Sequence, residues 1–130
     1  MRRYTISFSC VLLFLCAACH KDRGRMLTPR EAAETYYGSL VKGDVEQYMQ
    51  GLCNYDSLPE DYRSQLRDAL LQYLGDEQRR HSGLISARAV RDTLLDSLQA
   101  HVFVELQFGD STREEVLLPL LCTPAGWRMQ

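Results

Sequence analysis

Residues 28–49 read TPREAAETYYGSLVKGDVEQYM, and this stretch decides which fold the remaining chain must complete. Thr28 is an N-cap residue by type, Pro29 suits the first helical position, and Glu31 completes a T-x-x-E capping box. Ala32, Tyr36 and Leu40 lie four apart, as do Ala33, Tyr37 and Val41, which lays a broad apolar stripe along a helix. Gly43 stands where a helix ends in the left-handed conformation. Asp44 and Gln47 then repeat the capping pattern, and Val45, Tyr48, Met49 and Leu52 predict a short second helix over 44–53.

Working outward, NYDSLPED (54–61) is a turn-rich break in which Ser57, Pro59 and Glu60 predict a third capped helix. Tyr62, Leu66, Ala69, Leu70, Tyr73 and Leu74 fall on one side of it. It ends at Gly75 or runs a turn or two into DEQRRHSG (76–83). After Gly83 the period changes. LISARAVRDTLL (84–95) permits a strand with Ile85, Ala87 and Ala89 on one face. In AHVFVELQF (100–108), Ala100, Val102, Val104, Leu106 and Phe108 alternate with His101, Phe103, Glu105 and Gln107, a half-buried strand. GDS (109–111) turns the chain into REEVLLPLLC (113–122), where Pro119 predicts an edge or a bulge. TPAG (123–126) leads to a last short strand, WRMQ.

Helices first and an antiparallel meander afterwards is the α+β order. The 130 residues suffice for one domain with a modest core, and 45% hydrophobic with 25% charged residues argues against disorder. In TPREAAETYYGSLVKGDVEQYM and the closing TPAGWRMQ, the chain resembles the nuclear-transport-factor-2-like (cystatin-like) superfamily. Within it, the likeness is to small bacterial lipoproteins of unknown function. They show an apolar helix ending in Gly-Asp, and a turn followed by Gly-Trp and a basic residue. The resemblance covers nearly all of 28–130. It implies N-terminal helices packed on a curved antiparallel sheet that forms a cone, and it implies fold far better than function.

The N-terminus concerns address. Arg2 and Arg3 precede an uncharged run from Tyr4 to Ala18, the layout of an export signal over 1–18. That run falls short of the roughly 20 residues that cross a bilayer as a helix. Ala17, Ala18 and Cys19 resemble a bacterial lipobox, with Cys16 where leucine is usual. The resemblance implies acylation of Cys19, with 19–27 as a lipidated cysteine and hydrophilic tether. An ordinary cleaved signal with an incidental cysteine is the alternative. Acyl chains would give the chain a membrane partner through its N-terminal lipid and a place in the bacterial cell envelope, on the periplasmic face or the cell surface. Without 1–18, 13 basic residues face 17 acidic ones, a balance of −4 that excludes a nucleic-acid partner.

Chemistry is sparse. There is no G-x-S-x-G and no Gly-rich phosphate loop, and the three histidines are not spaced as metal ligands, so neither metal nor cofactor is expected. His101, Phe103 and Glu105 alternate onto one strand face, and together with Tyr37 they are the candidate pocket residues. Cys53 and Cys122 are a candidate disulfide in an oxidising compartment, or two small apolar residues. Trp127 reads as core, and Arg79, Arg80 and His81 as a solvated helix end. The expectation is therefore a non-catalytic binding or docking module. It would hold a small apolar ligand in the cone or an envelope protein partner. The alternative is an envelope enzyme with His101 and Glu105 as its acid–base pair.

Overall fold

The computed structural model describes residues 25–130. Helix α1 spans Pro29–Val41 and opens on the full capping box. The Glu31 N–H donates to the Thr28 hydroxyl at 3.2 Å, and the Thr28 N–H donates to the Glu31 carboxylate at 3.0 Å. Gly43 follows with φ +77°, and Asp44 caps the next helix by accepting the Gln47 N–H at 3.0 Å. Helix α2 is only Val45–Met49, shorter than the expected 44–53. Past its C-cap Gln50, Gly51 runs against the Tyr36 ring, where a Cβ would sit 2.5 Å away. Leu52 then forms a parallel bridge with Met129, and the Cys53 N–H donates to the Met129 carbonyl.

Helix α3 is Glu60–His81, so it continues through Gly75 to the end of the polar stretch. Its N-cap is Pro59 with no side-chain bond, so Ser57 and Glu60 do not form the expected box. The predicted stripe is also less buried than its spacing promised. No α3 residue is fully buried, and Tyr62 lies half exposed. Leu70 and Leu74 pack against the core from outside. Polar links hold the helix to α2, where the Arg67 guanidinium donates twice to the Glu46 carboxylate, at 2.9 and 3.0 Å.

Four strands follow, β1 Leu84–Leu94, β2 Gln99–Phe108, β3 Arg113–Thr123 and β4 Gly126–Met129, in one antiparallel sheet of order β1-β2-β3-β4. Helices packed against a four-stranded antiparallel sheet give the expected α+β fold. The even residues of β2, from Ala100 to Phe108, are buried against α1, together with Leu118 and Leu120 of β3 and Met129 of β4. On β1 the expected alternation fails. Register shifts at Leu84/Ser86 and Ala89/Arg91 bury Leu84 and Ala89 and expose Ile85. Such bulges bend a strand and sharpen its twist, which curves the sheet toward the helices. At the second bulge, Glu34 of α1 accepts the Ala89 N–H at 2.9 Å and Arg30 donates to the Ala89 carbonyl at 2.8 Å.

Pro119 lies just past the β4 ladder, which pairs only Leu120–Thr123, so β3 is a local edge at this position as expected. It pairs in register with His101 on the second-last strand. Its carbonyl accepts the Gln130 N–H, so the N–H it lacks would point toward the tail of β4, where the β3–β4 ladder has already ended at Leu120.

Candidate functional site

The strand residues singled out for chemistry lie on the outer face of β2, opposite the buried even residues, and His101, Phe103 and Glu105 are half-buried there. The Arg91 guanidinium covers the Phe103 ring at 4.2 Å, a cation–π contact that shelters the aromatic face. Glu105 lies 3.9 Å from Arg113, while Arg91 pairs with Glu115. Tyr37 is elsewhere. It belongs to α1 and packs against the core on the other side of the sheet, so the four candidates do not converge.

Tyr37 instead joins a tyrosine of α2 and one of α3. Its ring meets that of Tyr48 from α2 edge-to-face, with centroids 5.7 Å apart. Tyr73 of α3 and Glu114 of β3 act on the same group. Glu114 reaches this side because it pairs with Leu106, a buried inner-face residue, and residues directly opposite each other share a face. The missed signal was the parity of REEVLLPLLC, which puts Glu114 in line with Val116, Leu118 and Leu120. Burial raises the Tyr37 phenol, and Glu114 raises it further, against a lowering hydrogen bond with Tyr48. Burial also raises Tyr48, and it pushes Tyr73 up to about 12 with help from Glu77 and Glu114. At neutral pH these phenols are hydrogen-bond donors rather than bases.

A different place is open. Between α1, the start of α2 and β4 lies a groove of about 480 Å³, lined by Met26, Leu27, Tyr36, Gln47, Trp127 and Arg128 among others. The Tyr36 hydroxyl donates to the Trp127 carbonyl, which fixes one wall. Trp127 is buried as expected, yet one side of it borders this groove. Arg128, whose guanidinium donates to the Gln50 carbonyl at 3.2 Å, also borders a second recess of about 150 Å³ with Cys53, Asp56 and Thr123. No carboxylate among the described residues pairs with Arg128. Cys53 is exposed, Cys122 is half-buried on β3, and both are free thiols, so the candidate disulfide is not formed. The expected signal (1–18), Cys19 and the tether up to residue 24 lie outside the described residues.

No protein-family model matches this sequence, and no curated protein matches it. Among solved structures, the chain is similar to a Campylobacter jejuni protein named "Putative NTF2-like transpeptidase", at 15% identity and a TM-score of 0.62, over 79% of this chain and 97% of that one. The likeness is one of fold, and the fold is therefore of the nuclear-transport-factor-2-like kind. The expectation of a protein without catalysis is corrected by this match. A transpeptidase name stands on the same architecture, so the architecture and the lack of familiar motifs do not exclude an enzyme.

Proposed function

We propose that this chain is a lipid-anchored envelope protein whose domain binds a segment of an envelope partner in the groove over β4. The observation that carries this reading is the contrast between a filled inner sheet and an open groove. Phe108, Met49, Leu120 and Met129 fill the space where a cone would hold a ligand, while about 480 Å³ stands open beside Tyr36 and Trp127. An aromatic floor with an arginine lacking a carboxylate partner among the described residues suits an extended segment carrying apolar and acidic side chains. The lipobox-like Ala17-Ala18-Cys19 supports the anchor, and it supports a partner in the same compartment. The apolar small-ligand alternative loses support because the deep face is packed.

The test places a photo-crosslinking residue at Gln47 in cells and, as a control, at Thr112 on the far turn. One envelope protein crosslinked from Gln47 alone, and lost on Arg128→Glu, is the expected result. Equal adducts from both positions, or none from Gln47, would overturn the reading. Intact mass of the purified chain checks the anchor, which requires acyl mass on Cys19.

The neighbour's name favours a second reading of the same groove, in which the bound peptide is cleaved and transferred. The thiol at hand is Cys53 in the adjoining recess, which shares Arg128 with the groove. The thiol would attack the peptide carbonyl with its proton passing to the departing amine, and the resulting thioester would be resolved by an acceptor amine to a new amide and the free thiol. A peptide incubated with the chain should then leave an acyl adduct on Cys53. An unmodified Cys53 after turnover of that peptide would remove this reading.

A further inference from the structure

We propose that the β1–β2 hairpin tip is a bilayer-contact surface, which holds the anchored domain against the membrane by one end. The tip residues Leu94, Leu95 and Leu98 are 62%, 50% and 57% exposed. Met26 and Leu27, just ahead of α1, are 52% and 48% exposed. These five are most of the nine large apolar side chains exposed among the described residues.

Several contacts put them at one end. Arg30, in the first turn of α1, donates to the Ala89 carbonyl and lies 3.9 Å from Asp92, so α1 starts beside the end of β1 that enters the hairpin. The Cys122 N–H donates to the Leu98 carbonyl at 2.7 Å, which sets the tip next to the β3–β4 turn. That turn, through Pro124 and Ala125, shares the groove with Arg25, Met26 and Leu27. The described chain thus begins at the end that displays the leucines.

A solvent-facing turn is normally polar, and a contiguous apolar patch marks a surface that something covers. The occupant is identified by where the chain leads. Arg25 is the sixth residue after Cys19, and six residues reach at most roughly 20 Å. An acyl chain on Cys19 therefore keeps this end within that distance of the bilayer, and leucines there enter the headgroup boundary. The one tip carboxylate, Asp96, accepts the Leu98 N–H at 2.8 Å and so folds back onto the turn rather than forward. This inference rests on the lipid-anchor reading, and the experiment separates the two.

Full-length chain purified from membranes is reconstituted into phosphatidylcholine–phosphatidylglycerol vesicles with brominated acyl chains. Tryptophan is introduced by Leu95→Trp or, at the far turn, Thr112→Trp. Native Trp127 sets the baseline, and Tm confirms that each variant folds. The expected result is emission from the Leu95→Trp site falling to about half while the Thr112→Trp site is unaffected, since interfacial residues lie at acyl depth. Equal quenching at both sites, or none at Leu95→Trp, overturns the inference even when Cys19 carries its acyl mass, and leaves the tip to a protein partner. If Cys19 carries no acyl mass, the anchor reading fails by itself. Quenching at Leu95→Trp on adding vesicles then still sustains bilayer contact, and its absence overturns it.

Discussion

The β2–β3 turn at one end of the sheet and the β1–β2 tip at the other are built on opposite terms. Around Gly109–Thr112 the backbone is tied to the end of α3. The Gly109 N–H donates to the Gly83 carbonyl, the Asp110 N–H donates to the His81 carbonyl, and the Asp110 carboxylate meets His81 Nδ1 at 2.8 Å. The tip at Leu94–Leu98 leans on its own strands and on one bond from Cys122, and no helix touches it through any hydrogen bond among the described residues. The polar end is the one that a helix terminus ties to the sheet through both backbone and side chain. The apolar end contributes surface rather than closure.

The sharpest way to break this contrast is Gly109→Ala. A Cβ there would lie 2.4 Å from the Ser82 carbonyl oxygen, so backbone rather than a soft side chain must move. Overpacking of this sort costs about 1–3 kcal/mol. Calorimetry should show Tm falling by roughly 4–8 °C per kcal/mol lost. An unchanged Tm would mean that the polar end does not close the fold.

Tyr48→Phe, next in size, probes the seam between α1 and α2, away from both ends of the sheet. Losing the partner of Tyr37 should cost about 1 kcal/mol at neutral pH. The folded phenol is raised above its usual 10 by burial, so its contribution is complete below pH 10 and fades as pH climbs toward the folded value. Denaturant melts should therefore show a falling alkaline limb in the native protein and a flatter one in the variant. Parallel limbs would rule out the buried phenol as their source.

Asp110→Asn acts on the polar end through pH. The Thr112 hydroxyl, then His81 and the Thr112 N–H, hold the Asp110 carboxyl down at about 2 against an ordinary 3.8. Its contribution is present above 3.8 and disappears as pH falls toward 2. The variant should melt lower at pH 6 and converge with the native protein near pH 2. A constant gap would assign the loss to something other than charge.

Smallest is the triple change Leu94→Ser, Leu95→Ser and Leu98→Ser. Three core leucines would be ruinous to lose, whereas these should shift stability by no more than about 0.5 kcal/mol. A larger drop in the denaturant midpoint would show that the tip serves the fold after all.

Local patterns survived translation into structure where the chain's own neighbours decide the outcome. The Thr28–Glu31 box and the alternation in AHVFVELQF are such cases, because cap and pleat are set within a few residues. The failures lie where distant partners intervene. Helix α2 stops at Met49 before Gly51 runs against the Tyr36 ring, and bulges, the one at Ala89 met by Glu34 and Arg30, shift the faces of β1. Gly75 does not stop α3, which runs on until Ser82 and Gly83 take positive φ. The groove was illegible because it unites residues 25–27 with 124–128, and no spacing rule spans that separation. His101 and Glu105 attracted notice for their residue types, whereas Glu114 sat in a charged triplet whose parity with Val116, Leu118 and Leu120 was passed over.

The side chains of Arg30 and Glu34, which grip the backbone of Ala89, have a consequence for life among copies. A sheet offers its rims to any passing strand. Here one rim is occupied at Ala89 by a helix's own arginine and glutamate, and the other at Met129 by the Gly51–Cys53 crossing. These contacts take the Ala89 and Met129 backbone groups out of reach of an added strand.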